Sequence, residues 1–132
     1  MVYVALGSNL GDRQAHLHAA RTALASLPDT SLLAASKIEE TAPLGGKRQP
    51  AYLNQMVLLE TTLEPRALLL ALQAIERQEG RERTERWGSR TLDLDIVRFG
   101  NRRVSEPDLI IPHPELSNRE FWRRELAEIE AQ

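Results

Sequence analysis

Val2 to Leu6 is an apolar, β-branched run closed by Gly7-Ser8-Asn9, which predicts a buried strand followed by a turn. Asp12 stands where it can cap a helix. Leu17, Ala20, Leu24 and Leu27 then recur on one helical face until Pro28-Asp29 ends the pattern, so a core-packed helix is expected from about residue 13 to residue 27. Leu32 to Thr41 is extended in character, and Tyr52 to Thr62 reads as a further strand, with a loop from Ala42 to Pro50 between them. Pro65 suits the first position of a helix, and Leu68, Leu69, Leu72 and Ile75 form the apolar stripe of one that ends at Gly80. Gly80 to Ser89 is charged and poor in apolar residues, whereas Thr91 to Phe99 alternates and is expected to be a strand. The order strand, helix, two strands, helix, strand predicts an α+β fold: a ferredoxin-like two-layer sandwich, with helices packed on a mainly antiparallel sheet.

The 132 residues fit a single domain, expected over 1–132. Such a chain buries roughly two-thirds of its unfolded surface. Apolar residues at 42% and charged residues at 27% exclude a chain too polar to fold, and no repeat, low-complexity tract or linker is visible. A formal charge of −2 gives no global attraction to nucleic acid or anionic lipid, so an anionic ligand needs a local basic cluster. With no cysteine, no signal-peptide pattern at Met1 to Leu6 and no membrane-length apolar stretch, a cytoplasmic protein is expected.

In Leu92-Asp93-Leu94-Asp95-Ile96 the side chains alternate, so the leucines and Ile96 enter the core while both aspartates share the other face. A rise of about 3.3 Å per residue puts their Cβ atoms roughly 6 to 7 Å apart. Two such carboxylates repel unless a cation joins them, and Mg²⁺ is commonly held by one or two carboxylates together with substrate phosphates. Alone, the pair also fits a half-exposed strand with solvated acids. Upstream stand Arg81, Arg83, Arg86, Trp87 and Arg90, which taken alone fit a solvated helix end interleaved with Glu79, Glu82 and Glu85. Joined to the carboxylate strand, they become partners for phosphate, and metal ions beside fixed cations are what phosphoryl transfer requires. Gly45-Gly46-Lys47 lacks the phosphate-loop spacing and Gly7 to Gly11 is not a dinucleotide fingerprint. His113, Tyr52 and Phe121 read, by themselves, as loop and packing residues.

The run from Arg86 through Trp87-Gly88-Ser89-Arg90-Thr91-Leu92-Asp93-Leu94-Asp95-Ile96 to Val97 closely resembles the signature of the 6-hydroxymethyl-7,8-dihydropterin pyrophosphokinase family. Ala5 to Gly11, Glu40-Thr41-Ala42-Pro43-Leu44-Gly45, Tyr52-Leu53-Asn54 and Pro112-His113 are similar to its other landmarks, in the family's order. The resemblance implies a ferredoxin-like fold and transfer of pyrophosphate from ATP to the pterin's hydroxymethyl oxygen, with release of AMP. It implies that Asp93 and Asp95 hold two Mg²⁺ ions, that Arg81, Arg83 and Arg90 neutralise phosphates, and that Trp87 rides on a closing loop. Gln73, Glu76, Ile96 and His113 match positions around the nucleotide. Tyr52 and Phe121 would stack on the pterin, Asn54 would read its edge, the Thr41-Ala42-Pro43-Leu44 backbone would complete its rim, and Arg119 would lie near the transferred group. No general base stands out, so positioning and electrostatics are expected to carry catalysis.

Two departures qualify the match. Thr84 and Glu85 stand where relatives often carry another basic residue, so the nucleotide-closing loop looks short. After Phe121 the family usually runs apolar and further, whereas this chain reads Trp122-Arg123-Arg124-Glu125 and ends at Gln132. The partners expected are ATP and the pterin, with no nucleic acid and no membrane, and the chain is expected to be a monomer. Two rivals remain: a metal-dependent nucleotidyl- or glycosyltransferase using the same aspartate pair, and a non-enzymatic RNA-binding ferredoxin-like module. The latter places several aromatics on its sheet, where this chain offers Tyr3, Tyr52 and Phe99.

Overall fold

The computed structural model describes residues 1–42, 50–80 and 91–132. The elements run β1 (Val2–Ser8), α1 (Arg13–Ala25), β2 (Thr30–Ala35), β3 (Glu39–Thr41), β4 (Tyr52–Thr61), α2 (Pro65–Gln78), β5 (Asp93–Phe99), β6 (Val104–Glu106), β7 (Leu109–Ile111) and α3 (Glu120–Glu130). Strands β2, β4, β1 and β5 lie side by side in that order, all neighbours antiparallel, and β3 continues the line of β2 along β4. This is the α+β, ferredoxin-like arrangement of two interleaved strand–helix–strand units.

The helix ends follow local chemistry. The Asp12 side chain accepts the Ala15 N–H at 3.1 Å, which satisfies one orphan donor at the start of α1. α1 ends at Ala25, two residues short of expectation, because Ser26 turns its hydroxyl back onto the Thr22 carbonyl. Pro65 opens α2, and Gly80 follows its end at φ 81°, a conformation that costs other residues energy.

The extended stretch expected from Leu32 to Thr41 is broken at Ser36. Ser36 is buried, its Oγ accepts the Met56 N–H at 2.9 Å, and its carbonyl accepts the Gln55 side-chain amide at 2.7 Å. The Ser36 N–H still donates to Met56 O at 2.9 Å, so these side-chain bonds carry the chain across the gap before the strand resumes as β3. The alternation expected along β5 also breaks. Ile96 and Val97 are both buried, and the register with β1 shifts at this point. Both are buried because the sheet is covered on both faces: Ile96 enters one core and Val97, its neighbour on the strand, the other.

Two cores result. Val2, Val4 and Leu6 of β1 pack with Leu17 and Leu24 of α1 and Leu68 and Leu72 of α2 on one face. On the other, Ala5 and Met56 meet Trp122, Leu126 and Ile129 of α3. The sequence pattern does not place α3 or the β6–β7 hairpin, so the second cover of the sheet is a finding of the structure. α3 crosses this face obliquely. At its start Trp122 stacks edge-on to His113, whose N–H donates to Val97 O of β5 at 2.9 Å. At its end it grips the β2–β3 connection: Arg124 donates to Glu39 at 2.6 Å, Glu128 accepts the Lys37 N–H at 2.7 Å, and Gln132 donates to Ala35 O at 3.1 Å. Steps of four residues on the helix, about 6.0 Å, match steps of two on the strand, about 6.6 Å. Among the described residues, no helix is long and apolar enough to cross a membrane.

β5 is an outer strand of the sheet, and its exposed backbone edge is partly satisfied from α2. The Leu94 N–H donates to Glu76 Oε2 at 2.8 Å, and both residues are buried. Glu76→Ala strands that N–H in the core, so a loss of about 2 to 3 kcal/mol is expected, read as a lower urea midpoint. Glu76→Gln keeps an acceptor and should lose less. An alanine variant as stable as the parent would remove this role.

Candidate active site

Antiparallel registers place one residue from each of four strands in a row. Glu39 faces Asn54, Asn54 faces Gly7, and Gly7 faces Asp93. Directly opposite residues point to the same side of a sheet, so Glu39, Asn54 and Asp93 rise from the face that carries α3. The next row, Met56, Ala5 and Asp95, lies partly under that helix. Gly7 contributes no side chain, which leaves a strip between Asn54 and Asp93. Two strand spacings of about 4.8 Å make it roughly 10 Å wide. A Cβ built on Gly7 would lie 3.4 Å from Asn54 Oδ1 and 3.5 Å from Tyr52 Cδ1, so these two residues border the strip.

The border on the β4 side is fixed by hydrogen bonds. Asn54 Nδ2 donates to Thr41 Oγ1 at 2.6 Å, which turns its oxygen toward Gly7. Tyr52 lies opposite Thr41 and is half-buried. The turn after β1 anchors the chain just before β4. Buried Asn9 donates to Pro50 O at 3.2 Å, and Arg13 donates to Ala51 O at 2.8 Å while pairing with Glu40 at 3.3 Å. In the sequence Gly7 and Asn9 stand out only as landmarks and as the turn after the first strand, and no local pattern marks Arg13.

On the β5 side, Asp93 and Asp95 share one face, as the alternation predicts, and both are half-buried. Among the described residues no group of three or more metal-ligating side chains occurs. His113 Nε2 is 3.7 Å from Asp95 Oδ1, beyond hydrogen-bond reach. Its Nδ1 accepts the Glu115 N–H at 3.0 Å, so a neutral ring carries its proton on Nε2. Arg119 lies over the Trp122 ring at 4.4 Å, and Phe121 meets the same ring edge-on at 6.3 Å. Arg119, Trp122, His113 and Asp95 thereby form one contiguous stack at the start of α3.

A cavity of about 240 Å³ opens beside Asp95 along the outer edge of β5. Leu69, Ile96, Pro107, Asp108, Ile110 and His113 are among the residues lining it. Since the Leu94 N–H turns away from β1 to reach Glu76, the backbone groups of Ile96, two residues on, turn the same way. The cavity thus joins apolar walls from Leu69, Pro107 and Ile110 to a backbone edge capable of paired hydrogen bonds, with Asp95 and His113 at one end. Arg66 of α2 pins its outer wall by a fork to Asp108, at 2.7 and 2.9 Å, and by a further bond to Glu106. The Arg66 bond holds the Asp108 carboxyl below the usual carboxylate range. None of the wall residues from Pro107 to Ile110 was foreseen.

Of the residues singled out by sequence, Ile96, His113 and Asp95 meet at this cavity. Gln73 lies one helical turn beyond Leu69 on α2 and does not line it, and the Glu76 carboxylate bonds the β5 backbone. Thr41, Tyr52 and Asn54 form the opposite border. Pro43, Leu44, Arg81, Arg83, Trp87 and Arg90, with the closing loop expected there, lie outside the described residues.

Comparison with known proteins places these features in context. The model of the family described as 7,8-dihydro-6-hydroxymethylpterin-pyrophosphokinase matches residues 3–131. A 2-amino-4-hydroxy-6-hydroxymethyldihydropteridine pyrophosphokinase of Haemophilus influenzae is 47% identical over 119 residues, covering 90% of this chain and 74% of that protein. Its counterpart in Pseudomonas aeruginosa is 46% identical over 128 residues, 97% of this chain and 79% of that one. The Bacillus subtilis counterpart is 42% identical over 129 residues, with 98% and 77% covered.

Proposed function

The chain belongs to the 7,8-dihydro-6-hydroxymethylpterin-pyrophosphokinase family, and from this we propose that the strip over Gly7 is where the pterin lies and the cavity beside β5 is where the nucleoside lies. Its activity is that of the family, a step of folate biosynthesis: pyrophosphate passes from MgATP to the hydroxymethyl oxygen of 6-hydroxymethyl-7,8-dihydropterin. The hydroxymethyl oxygen bonds to the β-phosphorus of ATP, the bond from that phosphorus to the α–β bridging oxygen breaks, AMP leaves, and the hydroxyl proton is released.

The row Asn54, Gly7, Asp93 carries the assignment. A flat, polar bicycle needs an open floor, an in-plane amide and an aromatic face. Gly7, Asn54 and Tyr52 supply these in adjacent positions. Phe121, at the start of α3, is assigned the second face, and the Thr41-Ala42-Pro43-Leu44 backbone the rim. Across the strip the hydroxymethyl group then points toward Asp93 and Asp95, which we assign as ligands of two Mg²⁺ ions. The donor set fits: two carboxylates on one open face suit an ion that keeps waters and shares phosphate oxygens. When bound there, Mg²⁺ supplies charge neutralisation to the triphosphate.

The chain's own groups then orient the two substrates. The outward backbone of Ile96 reads the adenine edge, and Leu69 and Ile110 enclose the ring. His113 presents its Nε2–H beside Asp95, toward the phosphates, while the Glu115 N–H holds the ring in that tautomer. Arg119, braced on Trp122, is placed for the transferred group. Gln73 and Glu76, and the arginines 81, 83 and 90 with Trp87, are assigned to the nucleotide through the family match.

The test is AMP release from MgATP measured with and without the hydroxymethyl dihydropterin. Release that depends on the pterin is expected, and pterin-independent turnover or none at all would overturn the assignment. The cavity has its own test. Ile110 is 48% exposed, so Ile110→Glu is tolerated by the fold, yet it sets an unpaired carboxylate in the apolar wall. The KM for ATP should rise by roughly tenfold, the cost of about 1 to 2 kcal/mol for an unmatched polar group, with the KM for pterin unchanged. Equal effects on both substrates would remove the nucleoside from this cavity.

A further inference from the structure

α3 buries an acid where its pattern calls for a hydrophobe. Glu125 lies among Trp122, Leu126 and Ile129 on the sheet-facing side of the helix and is 1% exposed. Neither of its carboxyl oxygens makes a hydrogen bond in this structure. The group beside them is another acid, Glu39 of β3, which Arg124 holds from outside at 2.6 Å. Two anions cannot sit together in so apolar a place, and one proton between them removes the conflict while providing the missing donor. Glu39 in turn lies directly opposite Asn54, and β3 also carries Thr41, whose hydroxyl orients the Asn54 amide.

We propose that Glu125 and Glu39 share a single proton, and that this pair positions β3 so that Asn54 presents its amide correctly to the pterin. The pair acts through Asn54, and so it rests on the assignment of Asn54 to the pterin.

The surroundings favour protonation of Glu125 at neutral pH. Burial first, then the neighbouring charge of Glu39, push the Glu125 carboxyl up to about 8. Glu128 of the same helix adds to the rise, and Arg124 opposes it. The strands beneath α3 contribute the uncharged Ala5, Ala34, Met56 and Leu58, and Asp95 of the same row stands by His113 at the start of the helix. Tyr3 faces Glu130 and Arg98 instead, and Lys37 is exposed. With Arg124 paired to Glu39, the arrangement is one carboxylic acid, one carboxylate and one guanidinium. Loss of the proton leaves two carboxylates facing each other, and the repulsion drives β3 off α3. Thr41 moves with it, and the Asn54 amide loses its anchor.

The consequence is a rising limb in the pH profile for pterin that the amide variants lack. At saturating MgATP, the KM for pterin is expected to rise by roughly fivefold to tenfold between pH 7 and pH 9.5 with kcat nearly constant, a coupling typical of linked sites. Neutralising either partner removes the repulsion, so Glu125→Gln and Glu39→Gln should both keep the neutral-pH KM and flatten the limb. Stability gives a second readout. The folded chain keeps a proton that the unfolded chain releases near 4.5, so parental stability falls as pH rises from there through about 8, and Glu125→Gln should lose that dependence. A limb and a stability profile unchanged in both variants would overturn the pair, and Glu39→Gln decides the kinetic arm should Glu125→Gln fold poorly. Asn54→Ala separates the premise from the proposal. If it leaves the KM for pterin untouched at pH 7, the pterin assignment itself fails; if it raises that KM while the glutamine variants keep the parental limb, only the shared proton fails.

Discussion

Asp95→Asn is expected to lower kcat by at least about a thousandfold while leaving the unfolding midpoint almost unmoved. The aspartate side chain is 39% exposed, and its nearest basic neighbour among the described residues, His113, stands at 3.7 Å without a hydrogen bond, so little of the described fold depends on its charge. Substitutions at such positions usually change stability by no more than about 0.5 kcal/mol. The reaction is expected to depend on that charge far more. The amide keeps the shape but is a poor ligand for a hard cation, and a thousandfold corresponds to about 4 kcal/mol of lost transition-state stabilisation, within what a metal on a phosphoryl oxygen supplies. Asp93→Asn should behave alike, because Asp93 shares the face and borders the strip. Turnover, and Mg²⁺ titrated in the presence of a non-hydrolysable ATP analogue, are the measurements. Unchanged metal affinity and turnover in both variants would falsify the assignment of the pair to the metals.

Gly7→Ala should weaken pterin binding by roughly tenfold to a hundredfold and leave the ATP analogue within about twofold of the parent. The added methyl meets Asn54 Oδ1 at 3.4 Å and Tyr52 Cδ1 at 3.5 Å, which are ordinary contacts, so the sheet accepts it. What it removes is the floor. A ring lying on the strip must rise or tilt to clear the methyl, and overpacking of a fitted site typically costs about 1 to 3 kcal/mol. Gly7→Val, with two more carbons in the same place, should be worse. Calorimetric titration with pterin and with the ATP analogue separates the two sites. Undiminished pterin affinity in Gly7→Ala would move the pterin away from the strip.

The contrast between Asp93 and Gly7 shows how much of the site was legible in the chain. Asp93, Asp95, Leu94 and Ile96 declare their faces through local alternation, which needs no knowledge of the rest of the fold. Gly7 becomes informative only when β4 and β5 are set in register on either side of it, since its task is to be empty between Asn54 and Asp93. Registers join residues some fifty or ninety positions apart, and no local pattern encodes them. The same holds for the cavity beside β5, whose outer wall comes from the turn between β6 and β7 and from β7 itself. α3 stayed hidden for another reason. Trp122, Leu126 and Ile129 fall at helical spacing, but Glu125 interrupts their stripe and Arg123-Arg124 precede it, so the segment reads as polar. The fold class was nevertheless within reach, because α1, α2 and the strands they cover follow simple apolar periods.

The grip of α3 on the β2–β3 connection limits which insertions and deletions the chain can tolerate. Arg124, Glu128 and Gln132 meet Glu39, Lys37 and Ala35 because four helical residues advance about as far as two extended ones. Removing or adding one residue between Arg124 and Gln132 turns every later side chain by about 100° around the helix, and one residue more or less between Ala35 and Glu39 reverses which strand groups face outward. Length changes are therefore confined to segments on either side of the two stretches, while substitutions within them remain open wherever a donor still meets an acceptor.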